Sequence, residues 1–161
     1  MSEVFDLAVK EIFKRLKKDG RTLATAESCT GGLIAGAITN VPGSSGHFDR
    51  GFVTYTNEAK TDMLGVDPKE LKKHGAVSHQ VAASMAQGAV ENSRADIAVS
   101  VTGIAGPDGG TKEKPVGLVY IGLAVRDEDT KVYEYQFSGD RETIREQTVT
   151  AALNHILDYL A

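Results

Sequence analysis

A chain of 161 residues, 41% hydrophobic and 25% charged, has the size and balance of one globular domain spanning 1–161, which argues against long disordered or collagen-like structure. Its 18 basic and 22 acidic side chains leave a net charge of −4, opposite in sign to the basic footprint of a dedicated nucleic-acid binder. One cysteine, Cys29, cannot make an internal disulfide or a multi-thiolate metal cage. No stretch approaches the ~18 apolar residues of a membrane span, and the charge-studded first twenty residues are no signal peptide. A cytoplasmic protein without membrane or nucleic-acid partners is expected.

Residues 2–19 read as an amphipathic helix, with Phe5, Val9, Ile12 and Leu16 on one face. Ser2 suits its start, and Lys17, Lys18 and Gly20 suit its end. Thr22–Ala26 is a short strand, followed by a turn of small and hydroxyl residues and a helix over Leu33–Thr39. After a loop over Asn40–Gly46 comes a second strand, Phe48–Thr56, then short helices over Glu58–Gly65 and Pro68–Lys73. Ser78 opens a helix reaching Asn92, whose Ala82, Ala83, Ala86 and Ala89 form a small-residue face. That face is suited to close packing, and a homo-oligomer joined through it is expected. Ala95–Val101 is apolar on both faces, as in the centre of a sheet. A Gly/Pro/Asp-rich loop, Thr102–Lys114, leads to a strand at Val116–Val125. This strand and Val132–Phe137 form an antiparallel hairpin around the acidic turn Asp127–Thr130. Asp140 caps a last helix that turns Val149, Ala152, Ile156 and Leu160 inward. Crossovers combined with a hairpin predict a three-layer α/β/α domain with a mixed sheet.

Three segments carry chemistry-bearing residues. In Thr25–Gly32, hydroxyls stand just past the carboxyl end of a strand, where open α/β sheets bind ligands. The backbone N–H groups of Thr30, Gly31 and Gly32 there are candidates to hold an anion or oxyanion; Ser28 or Thr30 as a plain helix cap is the competing reading. In Gly51–Lys60, Tyr55 and Lys60 stand at a strand–helix junction. A buried lysine there would serve as a base, whereas a lysine on a helix surface is ordinarily solvated. In Thr102–Thr111, glycines allow close backbone approach to a ligand, but the G-K-[ST] ending of a P-loop is missing. His47, His74, His79 and His155 lack metal-ligand spacing, so neither a metal site nor a cofactor is expected. Arg141 and Arg145, four apart on one helix face, suit a phosphate clamp or a solvated surface equally well.

In order along the chain, T-A-E-S-C-T-G-G at 25–32, V-T-Y-T-N-E-A-K at 53–60, G-A-V-S at 75–78 and V-T-G-I-A-G-P-D-G-G at 101–110 closely resemble the C-terminal domain of the CinA, or competence/damage-inducible, family. The resemblance runs from Phe5 to Leu160. That family includes nicotinamide-nucleotide amidohydrolases, and longer members carry an N-terminal domain that has no counterpart here, so the stand-alone form is expected. The resemblance implies hydrolysis of the carboxamide of nicotinamide mononucleotide by a serine–lysine pair. By the matching positions, Ser28 is the nucleophile, Lys60 the base and Tyr55 a pocket neighbour. Thr102, Gly103 and Gly106 then fall in the block that lines the substrate pocket, and Arg141 holds the phosphate with Arg145 as a second partner. Cys29 is the rival nucleophile, although adjacent residues of an extended segment point to opposite sides. If Lys60 is to be a neutral base, Glu27 has to point away from it. A non-catalytic nucleotide-binding module and an interaction partner in DNA uptake or repair are the competing functions.

Overall fold

The computed structural model describes residues 3–161; the expected cap Ser2 lies outside them. A single helical turn at Glu3–Phe5 leads into helix α1 (Asp6–Asp19), followed by β1 (Leu23–Glu27), α2 (Leu33–Thr39), β2 (Phe48–Val53), α3 (Asn57–Leu64), α4 (Pro68–His74), α5 (His79–Glu91), β3 (Ile97–Gly103), β4 (Leu118–Val125), β5 (Lys131–Gln136) and α6 (Arg141–Leu160). Local chemistry sets the helix ends. Thr56, Asp67, Ser78 and Asp140 each accept a backbone N–H of the first turn that follows, which satisfies donors a helix cannot satisfy internally. Gly20 closes α1 in the left-handed conformation, φ 64°, which costs glycine little.

The five strands lie in the order β2-β1-β3-β4-β5. β1 runs parallel to both β2 and β3, and β3, β4 and β5 form an antiparallel meander. The mixed sheet is therefore as expected. Helices α1, α2 and α6 cover one face with a core that includes Ile12, Leu16, Ile38, Val99, Ile121 and Leu153. Helices α3, α4 and α5 cover the other, over Ala24, Ala26, Phe52, Ala98 and Ala124. β1 is buried along its whole length because both its faces are covered, while the edge strands β2 and β5 are partly open to solvent. No helix among the described residues is long and apolar enough to cross a membrane.

Two expectations change. The alanine face of α5 is not free for another subunit: Ala82, Ala86 and Ala89 are fully buried against this chain's own sheet, and Ser100 Oγ donates to the Ala82 carbonyl oxygen at 2.6 Å. A small-residue face lets a helix sit close to any surface, and here the sheet takes it. The central strand β3 begins and ends two residues later than its apolar run suggests, so Thr102 and Gly103 belong to a strand and not to a loop.

Close packing in this second core has a direct test. Gly88 of α5 faces the end of α3, where an added Cβ would strike the Leu64 carbonyl oxygen. Backbone cannot yield as a side-chain tip can, so Gly88→Ala should lower unfolding free energy by about 1–3 kcal/mol, read from the urea midpoint, despite alanine's better helix propensity.

Candidate active site

The parallel pairing of β1 with β2 and β3 brings three hydroxyl residues into one row. Glu27 pairs with Val53 on one side and Val101 on the other. One residue further on, the pairing continues: the Thr54 N–H donates to the Glu27 carbonyl oxygen at 2.8 Å, and the Ser28 N–H donates to that of Val101 at 3.0 Å. Thr54, Ser28 and Thr102 thus stand side by side at the carboxyl ends of the parallel strands. By strand alternation they share the face covered by α3 to α5. This is the end of an open sheet at which ligands bind.

Lys60 is placed over this row by α3. Thr56 Oγ1 accepts the Ala59 N–H and starts the helix, and a helical side chain leans back toward its own N-terminus. Lys60 is only 1% exposed. Its Nζ lies 3.0 Å from Ser28 Oγ and donates to the Thr54 carbonyl oxygen at 2.9 Å. Among the described residues no carboxylate pairs with it. Burial pushes its pKa down from the ordinary 10.5, with Cys29 a smaller opposing influence. The two contacts suit a neutral amine, whose one lone pair accepts the Ser28 hydroxyl while an N–H holds Thr54.

Glu27, also fully buried, turns to the other side of the sheet. Its Oε1 accepts Thr30 Oγ1 at 2.6 Å and the Ile34 N–H at 2.8 Å, and its Oε2 accepts the Ala35 N–H at 3.0 Å. The carboxylate is therefore engaged by α2, as a neutral Lys60 requires, and the Thr30 hydroxyl is committed to it. Gly31 and Gly32, at φ 56° and 106°, make the tight turn between Ser28 and α2. Of the three N–H groups proposed from sequence to hold an anion, that of Gly31 already donates to the Ser28 carbonyl oxygen at 3.0 Å. Those of Thr30 and Gly32 have no acceptor among the described residues. Cys29 points into the core beneath α1, α2 and α6, where burial pushes its thiol up to about 12. Ser28 and Cys29 face opposite sides, and the lysine lies on the side of the serine.

The rim joins distant segments. Arg141, the first residue of α6, donates from Nη1 to the Gly106 carbonyl oxygen at 2.8 Å and from Nη2 to the Tyr55 hydroxyl at 2.9 Å. Tyr55 is 58% exposed. Arg145, one turn on, reaches the turn after Ser28, donating from Nε to the Cys29 carbonyl oxygen and from Nη2 to that of Thr30, each at 3.1 Å. Both arginines line an open groove of about 630 Å³ floored by Phe5, Leu33 and Val149. Thr102 is less available than expected: it is buried, and its hydroxyl donates to the Ala76 carbonyl oxygen at 2.9 Å. Gly103 answers a packing need, since a Cβ there would meet Val119 and the Leu118 carbonyl oxygen. Gly106, at φ 81° and tight against Val116, presents the carbonyl that Arg141 holds.

Thr54 is the residue that sequence reasoning missed. Its carbonyl anchors Lys60, and its hydroxyl is fully buried without a hydrogen-bond partner. Only the strand register, which places it beside Ser28, could have singled it out.

The model of the CinA C-terminal domain matches residues 6–160. The chain belongs to the CinA C-terminal domain family. A competence/damage inducible protein of this family from Agrobacterium tumefaciens, called CihA, superposes with a TM-score of 0.93 at 50% identity, covering 99% of this chain and 96% of that one. The nicotinamide-nucleotide amidohydrolase PncC of Enterobacter agglomerans is 54% identical over 91% of this chain and 90% of its own length. A competence-damage inducible protein of Caldicellulosiruptor bescii is 60% identical, but this CinA-type domain spans only 34% of it.

Lys60 also makes stability depend on pH. Its folded pKa lies below 10.5, so between the folded value and 10.5 the unfolded chain binds the extra proton and unfolding free energy rises with pH. Lys60→Met removes this slope. The variant should be more stable than the parent at pH 7, with the difference shrinking as pH approaches 10.5, as urea titrations across that range would show.

Proposed function

We propose that this protein hydrolyses the carboxamide of nicotinamide mononucleotide, giving nicotinic acid mononucleotide and ammonia, with Ser28 as nucleophile and Lys60 as general base. The observation that carries the reading is the Lys60 amine, 1% exposed, 3.0 Å from Ser28 Oγ and unaccompanied by a carboxylate. A module that only bound nucleotides would have no use for it, and a DNA-directed partner fits poorly with a net charge of −4. The name of the Enterobacter agglomerans relative supports the substrate.

An amide needs an activated nucleophile, oxyanion stabilisation and a proton for the departing nitrogen. Lys60 takes the Ser28 proton as Oγ bonds to the carboxamide carbon. The Thr30 and Gly32 N–H groups, which lack acceptors, hold the oxyanion. On collapse the C–N bond breaks, and the Lys60 ammonium gives its proton to the leaving nitrogen, which departs as ammonia. Water then attacks the acyl-enzyme with Lys60 again as base, releasing the acid and returning a proton to Ser28. Tyr55 and the Gly106 segment border the substrate, and Arg141 binds the nucleotide phosphate, exchanging its hold on the Tyr55 hydroxyl for phosphate oxygens. No cofactor enters the scheme.

The test is ammonia release from nicotinamide mononucleotide. Ser28→Ala should lose at least about a thousandfold in kcat with the fold intact, and Cys29→Ala should stay near the parent rate. In the parent, kcat/KM should rise with pH and level off below 10.5, because burial lowers the Lys60 pKa. Lys60→Arg should not restore the rate, since a guanidinium gives up no proton in this range; substantial activity in that variant would mean that position 60 supplies charge rather than a base.

Arg141 is tested by comparing substrates. Charge-assisted hydrogen bonds are worth about 1.5–3 kcal/mol, so Arg141→Ala should raise KM for the mononucleotide about ten- to hundredfold and leave KM for the phosphate-free riboside nearly unchanged. Equal losses on both substrates would remove Arg141 from the phosphate site.

A further inference from the structure

We propose that Arg145 is a positioning residue that sets the oxyanion-binding N–H of the nucleophile turn, and is not a phosphate ligand. This assignment rests on the serine–lysine reading above. The guanidinium spans two successive carbonyl oxygens, those of Cys29 and Thr30, each at 3.1 Å. It has no carboxylate partner among the described residues, so its hydrogen bonds to the turn are not shared with an acidic side chain.

The consequence follows from peptide geometry. The Cys29 carbonyl and the Thr30 N–H belong to one planar trans unit and point in opposite directions. Holding the carbonyl against Arg145 therefore turns the Thr30 N–H away from α6, and that N–H has no acceptor among the described residues. A cation on the carbonyl also polarises the peptide and makes its N–H a stronger donor. The far side of the turn is held by Glu27, which takes Thr30 Oγ1 and the Ile34 and Ala35 N–H groups. Arg145 grips two carbonyls of the turn, while Glu27 ties the Thr30 side chain to the first turn of α2, so the turn is held from both sides. Gly31, at φ 56°, supplies the left-handed bend between the two grips. Donors already aimed at the position of a developing charge stabilise it without reorganisation.

The substitutions are Arg145→Lys, which keeps the charge but cannot span both carbonyls in the same plane, and Arg145→Gln, which removes the charge. A positioning role predicts that kcat falls about ten- to a hundredfold by the same factor on nicotinamide mononucleotide and on its riboside, with the ratio of their KM values unchanged. Labelling of Ser28 by a small fluorophosphonate, followed by mass spectrometry, should slow in parallel, because that reaction also builds negative charge on an oxygen next to Ser28 and needs no nucleotide. A KM increase confined to the phosphorylated substrate, with unchanged labelling, would make Arg145 a phosphate ligand and overturn the proposal. Parent-like kcat and labelling in Arg145→Lys would overturn it as well; that variant decides the matter if Arg145→Gln does not fold. Should the parent leave nicotinamide mononucleotide intact, the substrate reading fails, and the labelling comparison still decides the role of Arg145.

Discussion

Placing an amine out of reach of water, against a serine and a backbone carbonyl, constrains the rest of this molecule. A charged lysine in such a place needs an acid or water to be tolerable, and among the described residues Lys60 has no acidic partner. The cost of charging it is what lowers its pKa. The surrounding architecture preserves that condition. Glu27, the carboxylate nearest in sequence to Ser28, is drawn to the opposite face by a hydroxyl and two backbone N–H groups of the Thr30–Ala35 stretch. Had it turned the other way, it would have stabilised the ammonium and raised the Lys60 pKa.

The same strand ends that bury the amine also sort the neighbouring side chains. Alternation along β1 sends Ser28 toward Lys60 and Cys29 into the core of α1, α2 and α6. The thiol, intrinsically the better nucleophile, is raised to about 12 by burial, which leaves almost no thiolate at neutral pH. One geometric rule thus sets the serine hydroxyl beside the buried amine and turns the thiol away from it. The rim is assembled differently: α6, last in the chain, brings Arg141 to Tyr55 and Gly106 and Arg145 to the turn after Ser28. Residues from both ends of the sequence therefore meet at one sheet edge.

Much of this was legible before any coordinates. Hydrophobic spacing located α1, and Ser78 and Asp140 marked the helix starts that they do cap. The alternating hairpin after Leu118 gave the antiparallel half of the sheet. Four short blocks in order identified the family and pointed to Ser28 and Lys60. Composition misled where it described a residue's character but not its neighbour. The alanines of α5 are small for the sake of the sheet and not of another subunit. Gly103 leaves room for Val119, and the hydroxyl of Thr102 is held by Ala76.

By itself the sequence determined the local features: where helices begin and end, which turn needs glycines, and which residue types stand at the strand ends. These depend on contacts within a few residues, so the local chain carries them in full. Only the tertiary structure decided which of those residues meet and how far from water they lie. Ser28 and Lys60 are 32 residues apart and come together because β1 and β2 pair in parallel with Glu27 beside Val53. The lowered pKa of the lysine is a property of the packing around it. No residue type carries it, because the energy of a buried charge depends on every group within reach and on the water kept out.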